Sequence, residues 1–531
     1  MKIVIIEKLY NKINNDKYYP FYILILSATV LFFKLNGSLV GWDEGIYSQI
    51  AKESLLSNNW IDLYYRGNLW FEKPPLIIWF TIISYKIFGI NEFAVWFFPV
   101  VFGITGVLGT YYLAKYLFNS KIGLLSSLIL LSIPHYVLLS RNNMTDIFLL
   151  TNSLFSFIFF IKSFDNRKYL IISSIFLALA FLSKNVISLL NLPIFLYYIH
   201  INKRYDIFRD KYLYISIIIF FMIMLPWHLI MVLKYKWEFV NNYFSYHIIE
   251  RYNRNILNSI QFSDTFHYLK VIILRSASWW FAFFLIIPIV LKDIINKIKF
   301  KELKMLLFWI MLIFIIFSSS ATKLHHYILQ LYIPFSILIA YGLYNLYKRK
   351  SVVMLIIVFV LLMNISFDVM SRVSNFGESK LLLSYILHNF LNLPVHVIYG
   401  LVVLFISYIY YNYFSKNKLF AVKLALASIF ISSFIIPFRP DRAPLAKEIG
   451  HLSLVNNADK LYYLDYFRYN DNLEGSLVFY SYPIPVKVIN TKDKINFKEN
   501  SLSYCLINKS FYAISKNYDY EYYPCEVFIQ E

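Results

Sequence analysis

Unbroken apolar runs of about 20 residues recur along most of this chain, and they limit what it can fold into. Hydrocarbon offers no water to unpaired amides and carbonyls, so only helices and closed barrels cross a bilayer. A transmembrane strand needs about 10 residues, so runs of this length read as helices. Charged residues make up 15% of the 531, against about 25% in a soluble domain, and mean hydropathy is +0.55. The chain reads as a polytopic α-helical membrane protein. Ile, Lys, Asn, Tyr and Phe are inflated together, so part of the aromatic content reflects a composition bias and part an interfacial belt.

The runs suggest about thirteen spans, with cores near 20–36, 93–116, 122–140, 147–164, 169–183, 185–200, 212–233, 273–291, 305–320, 327–346, 352–370, 396–414 and 419–437. Lys and Arg cluster in alternate loops: the N-terminal lysines, Lys115 and Lys121, Lys162 to Lys168, Lys203 to Lys211, Lys292 to Lys304, Lys348 to Lys350, and Lys416 with Lys418. The positive-inside rule makes that side cytoplasmic. The opposite loops then face outward: 37–92, Arg141–Asp146, 235–270, Thr322–His326 and everything after about residue 438. Leu76–Phe88 is apolar but too short to span, and reads as a re-entrant or juxtamembrane helix. Glu44–Leu56 reads as a surface helix with Ile46, Ile50 and Leu55 toward lipid. No small-residue cleavage site follows the first span, which reads as retained. The net charge of +20 fits anchoring loops and anionic headgroups, and no basic–aromatic motif suggests nucleic acid.

The expected division is a transmembrane domain over 1–437 and a small extracytoplasmic α/β domain over 438–531. In the tail, polar residues return and short alternating runs appear at Leu461–Leu464, Leu477–Tyr480 and Val486–Ile489. Both cysteines, Cys505 and Cys525, lie there; a disulfide and two free thiols are both compatible with the sequence. The chain shows no internal repeat, Gly-rich nucleotide loop or Cys/His zinc spacing.

One polar cassette interrupts the apolar pattern. It runs through Gly41-Trp42-Asp43-Glu44-Gly45-Ile46-Tyr47, Ala51-Lys52-Glu53, Asn59-Trp60 and Phe71-Glu72-Lys73-Pro74-Pro75-Leu76. Charges at a membrane edge cost free energy unless solvated, paired or used. Asp43 suits a general base, or stabilisation of a positive sugar centre, with Glu44 holding geometry; the plain alternative is a helix cap. Lys73, set before two rigid prolines, is a point charge suited to a lipid-linked phosphate, or else a snorkelling anchor. Asp146 is a second acidic wall of the same cavity, or a cap paired with Arg141. Lys323, His325, His326 and Tyr327 form a cationic, hydrogen-bonding edge fit for a phosphate headgroup, or an interfacial belt. His247 shares a helical face with Arg251, and with Glu72 could make a sparse metal site; a surface histidine is the simpler account.

In this order, these pieces resemble the GT-C membrane glycosyltransferases, in the branch holding protein O-mannosyltransferase-like enzymes and the aminoarabinose transferase of lipid A. The likeness rests on the Asp-Glu after the first span, Ala-x-Glu, Trp60, Glu-Lys-Pro-Pro-Leu, the Arg141–Asp146 loop and the Thr-Lys-x-x-x-Tyr-x-Leu run from Thr322. It implies transfer of a sugar from a polyprenyl-phosphate donor to a lipid (lipid A-like), glycan or protein acceptor outside the cytoplasmic (inner) membrane. It implies Asp43 as catalytic acid or base, beside Glu44 and Asp146. It implies Lys73 on the donor phosphate, with Arg141, Lys323 and Tyr327 as further candidates there. Glu72 and a loop histidine such as His247 match a pair that holds a divalent metal in some members. No cofactor is required by this reading, since no Asp-x-Asp pair stands in an outer loop. One position departs: aminoarabinose transferases commonly carry Arg three residues after the Asp, and here it is Ile46. A transporter or flippase of lipid-linked saccharides is the competing class; it would favour charges at mid-membrane and an inverted repeat.

Overall fold

The computed structural model describes residues 16–33, 35, 37–39, 42–243, 266–276 and 279–348, and in the tail 460–464, 479, 486–489, 502–507 and 510–515. The expected spans at 352–370, 396–414 and 419–437, together with His247, Arg251 and Cys525, lie outside the described residues.

The first part is helical. In chain order come α1 (Tyr19–Phe32), α2 (Trp42–Leu56), a hairpin of β1 (Tyr64–Tyr65) and β2 (Asn68–Leu69), α3 (Leu76–Phe88), α4 (Glu92–Leu117), α5 (Ser120–Leu131), α6 (Pro134–Ser140) and α7 (Thr145–Lys162). Next are α8 (Tyr169–Lys184), α9 (Asn191–Asn202), α10 (Lys211–Val240), α11 (His267–Arg275), α12 (Trp279–Ile295), α13 (Phe300–Ser319) and α14 (Tyr332–Lys348). Among the described residues, five helical segments are long and apolar enough to cross a membrane, six if the bent pair α5–α6 counts as one span. That pair was expected as one straight helix over 122–140. It bends by 73° where Pro134 removes an amide donor and starts a new helix.

Contacts between loops show that the chain runs back and forth between two ends. At one end, Tyr116 donates to Asp165 (2.9 Å), Arg204 to the carbonyl of Phe164 (3.3 Å) and Lys299 to that of Leu117 (3.2 Å), and Arg167 pairs with Asp206 and Asp210. These are the Lys/Arg-rich loops. At the other end gather the first loop, residues 141–146, 184–190 and 320–326. Residues 169–202 are one continuous helical run by length. Their two ends nevertheless meet at the basic end, through the Arg204 and Arg167 contacts, so the chain turns back in the short helix Asn185–Leu190, beginning at Asn185 with φ 52°.

Three glycines let the bundle close tightly around α4. A Cβ on Gly103 would lie 2.6 Å from Cβ of Ser140, one on Gly106 2.5 Å from Oη of Tyr136, and one on Gly109 2.8 Å from Leu154. This three-residue stripe brings α6 and α7 against α4, as small residues do in membrane bundles. Hydrogen bonds cross the seam from Tyr136 to the carbonyl of Gly103 (2.7 Å) and from Thr151 to that of Phe102 (2.9 Å).

The first loop is a folded cap. The surface position expected for α2 is corrected: Ile46 and Ile50 are buried in the core and Leu55 packs against it. The covering elements are α3 and the β1–β2 hairpin. The hairpin turns on Arg66 and Gly67, whose φ values of 57° and 75° fit a two-residue turn. Glu53 on α2 accepts the amides of both turn residues, at 2.9 and 3.2 Å, and the side chain of Gln49 at 2.7 Å. Trp79 and Trp227 donate to the carbonyls of Trp60 (2.7 Å) and Ile61 (3.0 Å), which ties α3 and α10 to one strand of loop.

In the tail, β3 (Lys460–Leu464), β4 (Val486–Ile489), β5 (Leu502–Ile507) and β6 (Ser510–Ser515) form one sheet in the order β4-β3-β5-β6. β3 pairs parallel with β4 and β5, and β5 pairs antiparallel with β6. Of the expected run Leu477–Tyr480 only Phe479 is described, and it is helical. Its carbonyl accepts from Lys52 on α2 at 3.0 Å, and its ring lies 5.1 Å from the same ammonium.

Candidate active site

The end of the bundle opposite the basic loops collects the sequence-predicted residues. Asp43 and Glu44 occupy the first turn of α2, where carboxylates meet the positive end of the helix dipole. Consecutive helical residues face about 100° apart, so the two acids part company. Glu44 turns inward and is 1% exposed. Its Oε1 accepts from the indole of Trp96 on α4 at 2.8 Å and from the amide of Asn143 at 3.2 Å. Asn143 continues the link, donating to Thr81 on α3 (3.2 Å) and to Ser48 on α2 (3.4 Å). Asp43 is half-buried, and among the described residues its carboxylate has no hydrogen bond or ion pair.

Lys73 is buried just ahead of α3, with its ammonium 3.2 Å from the carbonyl of Glu72. Glu72 itself is half-buried. Flanking aromatics hold this strand of chain: Trp70 packs edge-on against Tyr47 at 5.8 Å, and Phe71 against Phe239 at 5.4 Å. Ile46, where an arginine would stand in aminoarabinose transferases, is core.

Asp146 is neither a cap nor the partner of Arg141. Met144 occupies the N-cap of α7, and Asp146 is buried with Oδ1 2.6 Å from the ammonium of Lys184. Its Oδ2 lies 3.9 Å from Nε2 of His326. Lys184 in turn sits 4.7 Å over the ring of Tyr327. The first turn of α7, the end of α8 and the segment before α14 thus meet in one buried ionic cluster. Arg141 is buried and donates to the carbonyl of Phe33 at 2.8 Å, beyond the end of α1. Lys323 donates to the carbonyl of Ser320 at 2.6 Å, inside its own turn.

Sequence reasoning missed Lys184, His135 and Trp96. Lys184 did carry a signal: it is the single charged residue in the apolar stretch from Tyr169 to Asn202, and an ionisable group in such a stretch is a functional candidate. His135 lies on α6, and its two ring nitrogens contact Tyr332 and His325. Nothing in the local sequence distinguishes it. Among the described residues no group of three His, Cys, Asp or Glu gathers as a metal site.

Comparison with known proteins bears on this arrangement. Residues 72–230 match the family described as dolichyl-phosphate-mannose-protein mannosyltransferase. The match takes in Lys73, Arg141, Asp146 and Lys184. An undecaprenyl phosphate-alpha-4-amino-4-deoxy-L-arabinose arabinosyl transferase from Wigglesworthia glossinidia brevipalpis is 29% identical over 448 residues, covering 80% of this chain and 71% of that one. Its namesake from Serratia proteamaculans is 28% identical over 328 residues, covering 60% of this chain and 57% of its own length. The crystal structure of ArnT from Cupriavidus metallidurans bound to undecaprenyl phosphate superposes with TM-score 0.72 at 20% identity, over 89% of this chain and 86% of that one. The chain shares the fold of that ArnT. In sequence it is similar to the mannosyltransferase family over residues 72–230 and to the aminoarabinose transferases named above. This chain spans a little over half the length of the Serratia enzyme, 57%.

Proposed function

We propose that this chain is a GT-C glycosyltransferase that moves a sugar from a polyprenyl-phosphate donor to an acceptor on lipid A, a glycan or a protein, at the end of the bundle that carries α2. The observation that carries this reading is the contrast between the cassette's two acids: Glu44 is held by two donors, while Asp43, one residue away, keeps a carboxylate with no partner among the described residues. A base must be positioned and available, and only Asp43 of the pair is both.

In the transfer, the bond from the anomeric carbon to the phosphate oxygen breaks and a bond to the acceptor oxygen forms. Asp43 takes the acceptor hydroxyl's proton, and the lipid phosphate leaves with the bonding electrons. Lys73, set by the two prolines, neutralises that phosphate, with Arg141 or Lys323 as the second positive charge. Ile46 does not offer one. Asp146 orients Lys184 beside Tyr327, forming a second wall. Glu72 and His247 remain the candidate ligands should a divalent metal bind.

Three further parts belong to the proposal. The Lys/Arg-rich end is cytoplasmic by the positive-inside rule, which places α2 on the outer face of the inner membrane. Residues 438–531 form a small outer domain, supported by the sheet β4-β3-β5-β6 and by the contact of Phe479 with Lys52. The donor sugar is a hexose or pentose. The test is mass spectrometry of surface lipids, glycans and proteins from cells with and without the intact gene. Loss of one sugar mass, restored by the wild-type gene, supports transfer; an unchanged sugar inventory with altered transport of the lipid-linked saccharide supports the flippase class.

A further inference from the structure

Two residues ahead of Lys73, the ring of Phe71 is seated in a sharp elbow of α10. Its centroid lies 5.1 Å from that of Tyr235 and 5.4 Å from that of Phe239. Between those two residues stands Lys236, with φ 49° and ψ −125° inside the helix. A residue with a Cβ is rarely found at positive φ. The Lys236 side chain is exposed, so the surroundings of the turn impose this conformation.

Those surroundings are contacts on both arms. Before the turn, Lys234 pairs with Asp62, and the indole of Trp227 donates to the carbonyl of Ile61 at 3.0 Å. After it, Phe239 stacks on Tyr243 at 5.0 Å and meets Trp227 edge-on at 5.8 Å. The Tyr243 hydroxyl lies 3.0 Å from Nε2 of His228. On a straight helix Trp227 and Tyr243 would stand about 24 Å apart. Their ring centroids are 6.2 Å apart, so the chain doubles back at Lys236. The socket for Phe71 exists only in this folded-back form, because its two walls come from opposite arms.

The short strand that carries Lys73 leans on this socket. Trp70 is pinned by its amide to the carbonyl of Leu63 at 2.8 Å, and Pro74 and Pro75 stiffen the entry to α3. Between these points the backbone of Phe71 makes no hydrogen bond among the described residues, so its buried ring is what anchors it. We infer that the elbow of α10 positions Lys73 through Phe71, which makes Phe71, Tyr235 and Phe239 positioning residues for the phosphate that Lys73 takes. That phosphate rests on the glycosyl-transfer reading, while the hold on Lys73 does not.

Two measurements test this on the full-length protein in detergent. The first is brief acetylation with acetic anhydride, read by peptide mass spectrometry. Phe71→Ala should speed acetylation of Lys73 several-fold and leave unchanged that of Lys323, which is also buried but lies on another segment. Lys236→Val, whose branched side chain is excluded from positive φ, should act likewise from the far side of the elbow, and more strongly than Lys236→Gly. Unchanged labelling of Lys73, or an equal rise at Lys323, would overturn the inference. The second is binding of undecaprenyl phosphate. Phe71→Ala should weaken it by about tenfold, within what one charge-assisted contact supplies. In a Lys73→Ala background the same change should cost nothing further, since it acts through Lys73. No loss, or a loss of equal size in both backgrounds, would overturn it. Should Phe71→Ala fail to fold, Phe239→Leu opens the same socket with less loss of apolar bulk and is read in the same two ways. If the wild type binds no undecaprenyl phosphate, the functional reading fails, yet the labelling still decides whether the elbow holds Lys73.

Discussion

Glu44 and Trp96 are joined by a 2.8 Å hydrogen bond that fixes the start of α2 against α4. The same oxygen holds the amide of Asn143, so one carboxylate ties the cassette to the loop that leads to Asp146. Glu44→Ala would orphan two buried donors, at about 1–3 kcal/mol each. It should lower the melting temperature markedly. Glu44→Gln keeps an acceptor oxygen and should be much milder. Thermal unfolding in detergent checks the order of the two variants.

The pair Asp146–Lys184 predicts strong non-additivity. Removing one partner leaves a buried charge uncompensated, which costs about 3–5 kcal/mol. Asp146→Asn and Lys184→Met should each destabilise severely, and the double variant should recover much of the loss. Additive effects in a double-mutant cycle would mean the ions are solvated rather than paired.

Asp62 gives a pH signature. Burial raises its pKa, but hydrogen bonds from Asn59, Lys234 and Tyr235 and the charge of Lys234 outweigh that, and the net shift is downward. A carboxyl with a depressed folded-state pKa stabilises fully above its unfolded value of 3.8. That contribution is lost as pH falls through the folded value. Asp62→Asn should therefore reduce stability at neutral pH and flatten the acid limb below about pH 4. An acid limb of unchanged slope would contradict the clamp between the first loop and α10.

The contact of Lys52 with Phe479 joins α2 to the tail. Lys52→Cys with Phe479→Cys, in a background with Cys505 and Cys525 changed to Ser, should cross-link with a short bifunctional reagent. Absence of the cross-link in the folded protein would contradict docking of the tail on α2.

The apolar runs were enough to place α1, α3, α4, α7, α8, α10, α13 and α14, because length acts locally; the separate helix α11 falls across the expected loop 235–270 and the expected span 273–291. The bend at Pro134 and the burial of α2 were not legible in the same way. α2 carries isoleucines at positions that suit a lipid-facing stripe equally well. Only the hairpin folding over it, with Glu53 on the amides of Arg66 and Gly67, decides that the stripe is core. The cassette itself was legible since its charges stand out against lipid-compatible neighbours. The partners of Asp146 were not, because Lys184 and His326 lie 38 and 180 residues away along the chain. Which end of the bundle they share is a property of the whole topology.

The central claim is that Asp43 is the base. Asp43→Asn keeps the shape and a hydrogen-bonding head in the first turn of α2, but it cannot take a proton at neutral pH. The deciding measurement is sugar transfer by purified, reconstituted Asp43→Asn supplied with a polyprenyl-phosphate sugar that the wild type uses. Turnover should fall by about 10²–10⁴-fold while melting temperature and binding of the lipid donor stay near wild type. Near-normal transfer by this variant would contradict the account and leave Asp43 as a first-turn carboxylate that favours the helix dipole.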